Sequence, residues 1–350
     1  MTTEHNLAQV GERVATPDVW QCCRAVSTAI TGAVLPRRPD RRFLSALRDN
    51  GLPRGSTTVE LVALAQNARN VPTAAVVEGV FTPRRIESAM TAFVVRHPRA
   101  TFLVDPGICV DVRRRAVAGL PPILRLAVNP PSDVLDIRES LQRSGIDASD
   151  IDFALPTHLH WDHVAGLLDL PDLPLRLHRP EHRWAMTGPV APVGGVRQAV
   201  RDRPLDCYEL DGPPVLTFAA SHDVLGDGAV VLVDLSGHTP GSIGILLRTA
   251  RGPVLLAGDA VWHNLQTTEL RQKSGYPGAL ADDDRTGAWR TIHRLHAVRD
   301  AVRIVPSHDH RAACAWTEDS ATGLPTQDSP VAAEPLHDRE QQRRDRETHH

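Results

Sequence analysis

The sequence predicts a layered α/β fold in which two sheets pack face to face with helices outside. Three observations lead there. Strand-like aliphatic runs come in consecutive groups, with helical stretches placed between groups instead of alternating one for one. The chain carries 28 prolines and 24 glycines, more than long helices tolerate. Aromatics make up 4% of its 350 residues, so the core must be mainly Leu, Val, Ile and Ala.

Helix-compatible stretches fall near 19–33 and 58–67, separated by the PRRPDRR segment at 36–42, which reads as a solvated charged loop. Residues 1–70 are therefore expected to form an accessory N-terminal region, 71–316 the main domain and 317–350 a disordered polar tail. From Val71 the texture turns to short β-branched runs, TAAVVEGVF, TAFVVRH and ATFLVDPG, each closed by a turn residue. A helix is predicted over 134–144, capped by Ser132 or Asp133 and ended by Gly145. The strand IDFALPT follows, then LPLRLH (173–178), PVLTFAA (214–220), AVVLVDL (229–235), SIGILLRT (242–249) and GPVLLAGD (252–259). A helix over 285–298, with the acidic run Asp282 to Asp284 at its start, and a last strand, VRIVPSH, complete the domain.

Charge and composition narrow the function. With 39 Lys+Arg against 42 Asp+Glu the formal charge is −3, so there is no global attraction to nucleic acid or an anionic membrane. No run of about 18 apolar residues exists to span a bilayer. The opening MTTEHNLAQVGERVATP lacks the basic start and apolar core of a signal peptide. A cytoplasmic protein acting on a small molecule is expected. The five cysteines are scattered without a CxxC pair, and Lys273 is the only lysine in the chain.

The chemistry concentrates after the strand ending at Leu155, where His158, His160, Asp162 and His163 fall within six residues. In an extended segment alternate side chains share a side, so His158 and His160 can hold one ion. A following helical start would aim Asp162 and His163 at a second position. Imidazole and carboxylate suit zinc and other first-row divalent ions. Three further strand ends each deliver one such residue: His238 in LSGHTPGS, Asp259 in LLAGDAVW and His308 in IVPSHD. Strand ends that converge on one sheet edge are where function is usually built. Gly237, Gly241 and Gly258 would let the backbone pass close to the metals.

In these residues the chain resembles the metallo-β-lactamase superfamily, whose HxHxDH, His, Asp, His order it matches over roughly 71–315. The resemblance implies a four-layer αβ/βα sandwich with two divalent metal ions, zinc foremost. It implies that His158, His160 and His238 hold the first ion, Asp162, His163 and His308 the second, and that Asp259 bridges them. Two ions would make a bridging hydroxide available at neutral pH and polarise a substrate carbonyl, with Asp162 ligating and orienting the nucleophile. Asp259 together with His163 argues against antibiotic hydrolysis, and His160 stands where the flavodiiron reductases carry Glu. The motif THLHWDHVAG looks like that of acyl-homoserine-lactone lactonases and related esterases. The implied function is hydrolysis of an ester, lactone or thioester; the alternatives are a mononuclear iron sulfur dioxygenase and a non-catalytic regulatory member. The lactonases place a Tyr three residues after the bridging Asp, where this chain has Trp262, a donor without an acidic hydroxyl. Trp262, His263, Tyr276 and Lys273 are therefore the candidate substrate contacts.

Overall fold

The computed structural model describes residues 19–317 apart from 121, 123–124, 126–129, 131 and 188–193. The predicted tail beyond Thr317 lies outside the described residues. In chain order the strands are β1 (Glu60–Ala63), β2 (Arg69–Pro72), β3 (Arg85–Ser88), β4 (Phe93–His97), β5 (Ala100–Val104), β6 (Phe153–Ala154) and β7 (Leu175–His178), then β8 (Leu205–Tyr208), β9 (Ser221–Asp223), β10 (Val230–Asp234), β11 (Ile243–Thr249), β12 (Gly252–Gly258) and β13 (Arg303–Pro306). One sheet has six strands in the order β1-β4-β5-β6-β7-β8 and the other five in the order β13-β12-β11-β10-β9, while β2 and β3 pair separately.

The alternation of side chains sets the layers. Phe93 and Val95 of β4, Phe102 and Val104 of β5, Val254 and Leu256 of β12 and Ile243, Ile245 and Leu247 of β11 meet in one core between the sheets. Their neighbours point the other way. Val94 and Leu103 enter a second core with Ile137 and Leu141, and Leu246 and Leu255 a third with Trp289, Ile292, Leu295 and Val298. Both faces of both sheets are thus buried, which is why the strands read as continuous apolar runs. Within the first core Phe102 and Phe153 stack with ring centroids 5.1 Å apart. Truncating either to Ala would cost about 3–5 kcal/mol. The result is the predicted four-layer αβ/βα sandwich.

Local chemistry explains the helix ends. The helix Ile137–Arg143 begins at Asp136, whose Oδ1 accepts from the N–H groups of Arg138 and Glu139, both at 3.0 Å. That replaces the cap expected at Ser132 or Asp133, while Gly145 takes the left-handed conformation after the helix, as predicted. The helix Arg285–Val298 matches its predicted bounds and is capped by Asp284 accepting from Thr286 N–H at 2.9 Å. The helix Val19–Val34 packs across Gly275, where a Cβ would fall 2.3 Å from the Ala29 nitrogen. No helix among the described residues is long and apolar enough to cross a membrane.

Four expectations are corrected. The stretch 58–67 is not a helix: Glu60–Ala63 is the edge strand of the six-stranded sheet, paired antiparallel with β4. Three of its four side chains are buried, and burial on both faces erases the alternation that marks a strand. TAAVVEGVF is a helical turn, Thr73–Val76, running into a bend, not a strand. PVLTFAA makes no strand because Leu216 sits at φ +49 and its backbone bonds Asn50 and Gly51, so the segment folds back on itself between Val215 and Phe218. The PRRPDRR segment is only partly solvated: Arg37 lies 5.6 Å above the Trp289 ring and its backbone N–H donates to Glu78 at 2.9 Å.

Candidate metal centre

Strand direction brings the distant residues together. β10 and β12 both run antiparallel to β11, and β12 runs parallel to β13, so these three strands end at the same edge. Their following turns carry His238, Asp259 and His308. From the other sheet β6 leads into the extended segment before His158. Ile243 N–H, at the start of β11, donates to the Thr157 carbonyl at 2.9 Å and Ser307 N–H donates to the Gly258 carbonyl at 3.3 Å, which fixes the turns relative to one another.

The seven residues named from the motif gather in three overlapping groups: His158, His160 and His238; His158, His163 and Asp259; Asp162, His163 and His308. Within each group the ligand-type atoms lie within 4.8 Å of one another. Asp259 stands between the outer two, its Oδ2 3.5 Å from His238 Nε2 and its Oδ1 3.2 Å from both His163 Nε2 and His308 Nε2. Asp162 Oδ2 lies 3.6 Å from His308 Nε2 and 3.9 Å from His163 Nε2. His158 Nε2 and His160 Nδ1 are 3.0 Å apart.

Whether this set fits divalent ions can be tested on its buried atoms. His163 Nε2, His238 Nε2 and Asp259 Oδ1 are buried and make no hydrogen bond. The 3.2 Å approach of His163 Nε2 to Asp259 Oδ1 lacks hydrogen-bond geometry, so these atoms converge without satisfying one another. Burying such groups unpaired is costly, and a cation among them removes the cost. Titration agrees. Burial and the neighbouring rings hold His158 and His160 well below the usual histidine range, leaving neutral imidazoles with free lone pairs. Burial also opposes charge on His163, His308 and Asp259, but the attraction between Asp259 and the two imidazoles outweighs it. The same attraction would act on a divalent cation, and loading the site should release protons. The residues fit the group.

Three of the candidate ligand rings are held from behind by residues that ligand spacing does not reveal. Asp105, buried and at φ +48, accepts from Thr157 N–H at 2.7 Å, Thr157 Oγ1 at 2.9 Å, Ser307 Oγ at 3.1 Å and His163 Nδ1 at 2.9 Å. His308 Nδ1 donates to the Ala89 carbonyl at 2.8 Å. His238 Nδ1 donates to Asp282 Oδ1 at 3.0 Å, and the same oxygen receives Lys273 Nζ at 2.6 Å. Asp282 was expected only to favour the helix that follows; Asp284 alone does that, and Asp282 serves His238. The signal for Asp105 was its place at the end of ATFLVDPG, a strand end like the other four. Nothing local marked Asp282 or Glu181, which comes behind the same turns from the helix Arg179–Thr187.

The expected substrate contacts separate. Trp262 Nε1–H donates to Asp259 Oδ2 at 2.7 Å, so its donor is committed to a ligand. Lys273 is buried, with Nζ 4.9 Å from the Trp262 ring centre. His263 Nδ1 accepts from Leu265 N–H at 3.1 Å and its Nε2 lies 3.6 Å from Asp309 Oδ2, while Asp309 also accepts from Asn264 N–H at 3.0 Å. Tyr276 is 36% exposed in the element Gly275–Ala281. His310 contacts Cys314 Sγ at 3.2 Å. The three glycines face protein: a Cβ at Gly237 would fall 2.1 Å from the Ala288 nitrogen, at Gly241 2.2 Å from the Glu181 nitrogen and at Gly258 2.4 Å from Thr157 Oγ1.

Four layers, with His and Asp side chains converging at one edge of both sheets, define a metal-site protein of the αβ/βα sandwich class. Residues 88–308 match the sequence profile of the metallo-beta-lactamase superfamily, and the chain belongs to that superfamily. It is 27% identical over 223 residues to the N-acyl homoserine lactonase AttM of Azorhizobium caulinodans, covering 62% of this chain and 80% of the relative. A crystal structure of a B. thuringiensis AiiA mutant with N-decanoyl-L-homoserine bound at its active site superposes with a TM-score of 0.54 at 19% identity, over 73% of this chain and 95% of that one. AidC, a dizinc quorum-quenching lactonase, superposes with a TM-score of 0.51 at 16% identity, over 75% and 92% of the two chains.

Proposed function

We propose that this protein is a metal-dependent hydrolase that opens a lactone or related ester bond, with N-acyl homoserine lactones the first substrate class to test. The observation that carries the reading is the convergence of seven His and Asp side chains, three of whose atoms, His163 Nε2, His238 Nε2 and Asp259 Oδ1, are buried without a partner. The relationship to AttM supports the lactone as the bond cleaved.

Two divalent ions, zinc foremost, would be held by His158, His160 and His238 on one side and Asp162, His163 and His308 on the other, with Asp259 between. When bound they supply Lewis acidity, which makes hydroxide available at neutral pH and polarises the substrate carbonyl. The protein's own groups do the rest. Asp162, at 18% exposure the more accessible of the two carboxylates, takes the proton from the attacking water. The Asp162 carboxyl, through the oxygen not committed to the ion, then returns that proton to the leaving oxygen as the ring opens. Trp262 holds Asp259 Oδ2 in place instead of donating to the carbonyl. Tyr276, 36% exposed, is left as the side chain to test for contact with the substrate.

The test is hydrolysis of N-acyl homoserine lactones and simple aryl esters by wild type, His158→Ala and Asp259→Ala, with metal counted per chain. About two divalent ions in the wild type and loss of turnover in both variants is the expected result. Full turnover in either variant, or a single iron with oxygen uptake, would overturn the proposal.

A further inference from the structure

Glu181 is a buried carboxylate that the hydrolysis scheme does not use. It is 1% exposed, and no cation pairs with it among the described residues. Its neighbours are donors from the two turns that carry the three-histidine group. Oε1 accepts from Leu159 N–H at 2.8 Å, the residue between His158 and His160. Oε2 accepts from Thr239 Oγ1 at 2.7 Å and from Gly241 N–H at 3.0 Å, in the turn that begins at His238. One carboxylate therefore spans two turns that belong to different sheets.

The surroundings are built for this contact. The open Cα face of Gly241 lies against the Glu181 backbone, where any Cβ would come within 2.2 Å of its nitrogen. His178 Nδ1 donates to the Gly241 carbonyl at 3.0 Å, from the strand just before the helix Arg179–Thr187. Thr239 N–H is held by Ser242 Oγ at 3.1 Å. The turn is thus gripped on both sides by residues 178–181. Isolating a carboxylate from water without a counter-charge is unfavourable, so its retention at this spot calls for a role that an apolar side chain could not fill.

We propose that Glu181 is a positioning residue for the metal centre: by tying Leu159 to Thr239 and Gly241 it sets the spacing between His158 and His160 on one turn and His238 on the other. The inference rests on the reading that these three histidines hold an ion. His163 and His308 are held by Asp105 and the Ala89 carbonyl instead, so the effect of Glu181 falls on one of two ions.

The experiment compares full-length wild type, Glu181→Gln and Thr239→Val. Glu181→Gln keeps the shape and replaces one accepting oxygen by a donor that faces other donors. Thr239→Val removes a single donor to the same carboxylate and leaves every ligand in place. Zinc binding is measured by competition with a chromophoric chelator, cobalt binding by its visible absorption spectrum, and folding of the metal-free protein by circular dichroism. In Glu181→Gln one of the two ions is expected to bind about 10- to 100-fold more weakly, with an altered cobalt spectrum and retained folding. Thr239→Val should shift the same ion by a smaller factor. Wild-type affinities and spectra in Glu181→Gln would overturn the inference, as would an equal loss of both ions. A wild-type chain that takes up no divalent ion would overturn the metal reading itself, a result distinguishable because it appears without any substitution.

Discussion

Replacing Lys273 by Met should destabilise the protein severely, and the structure sets the size of the effect. Lys273 Nζ is 2.6 Å from Asp282 Oδ1, and the two side chains are 1% and 5% exposed. Met follows the lysine stem in length and volume, so little cavity is created and the loss is mainly electrostatic. Asp282 would stay buried with only His238 Nδ1–H to hold it. Removing one partner of a buried ion pair costs about 3–5 kcal/mol. For a domain of this size that corresponds to a fall in melting temperature of about 6–20 °C. The assay is thermal and denaturant unfolding of chelator-treated protein, completed as a double-mutant cycle with Asp282→Asn. The double variant should be less destabilised than the two single effects added together, because a neutral amide in place of the Asp282 carboxylate leaves no unpaired charge behind. A melting temperature within about 2 °C of wild type for Lys273→Met, or simple additivity in the cycle, would refute the account.

Glu181 should impose a pH dependence of its own. Burial raises its carboxyl from 4.5 to about 7, opposed in part by its three hydrogen-bond donors. A folded value above the unfolded one means stability fully present below about 4.5 and lost as pH rises through about 7. At about 1.4 kcal/mol per pKa unit the loss is about 3 kcal/mol. The stability gap between metal-free wild type and Glu181→Gln should change by that amount between pH 4.5 and 8, and parallel profiles would contradict the burial argument. Gly237→Ala should cost about 2–4 kcal/mol in denaturant unfolding, since the residue is at φ +127 and the new methyl would meet the Ala288 nitrogen. Wild-type stability there would show that the turn carrying His238 yields more readily than its packing against the helix Arg285–Val298 indicates.

The ligands were legible because chemistry and periodicity coincide in them. His158 and His160 alternate in an extended segment, and His238, Asp259 and His308 each follow an aliphatic run that could only be a strand. The sandwich was legible for the same reason. The residues behind the ligands were not, because each is a single side chain arriving from a distant segment: Asp105 58 residues from His163, Asp282 44 from His238 and Glu181 22 from Leu159. Their meaning lies in pairings that one-dimensional spacing does not encode. Trp262 shows a finer limit, since its position after Asp259 was readable but the direction of its N–H depends on the tertiary setting of the Asp259 carboxylate. The misread strand β1 and the misread segment 214–220 fail in opposite senses. In the first, burial on both faces removes the pattern; in the second, backbone bonds to Asn50 and Gly51 capture a run whose composition favours extension.

The metal-ligand set is spread from residue 158 to residue 308, on turns that follow strands of both sheets. During synthesis no nascent chain can hold the complete set until β13 and the turn after it have emerged and docked beside β12. The early histidines, already present as a dense run, therefore travel through translation as weak, incomplete chelators. If these residues hold the proposed ions, metal acquisition would be a late event that reports completed folding, and a chain stalled or cut before His308 would carry most of the candidate ligands without a finished centre.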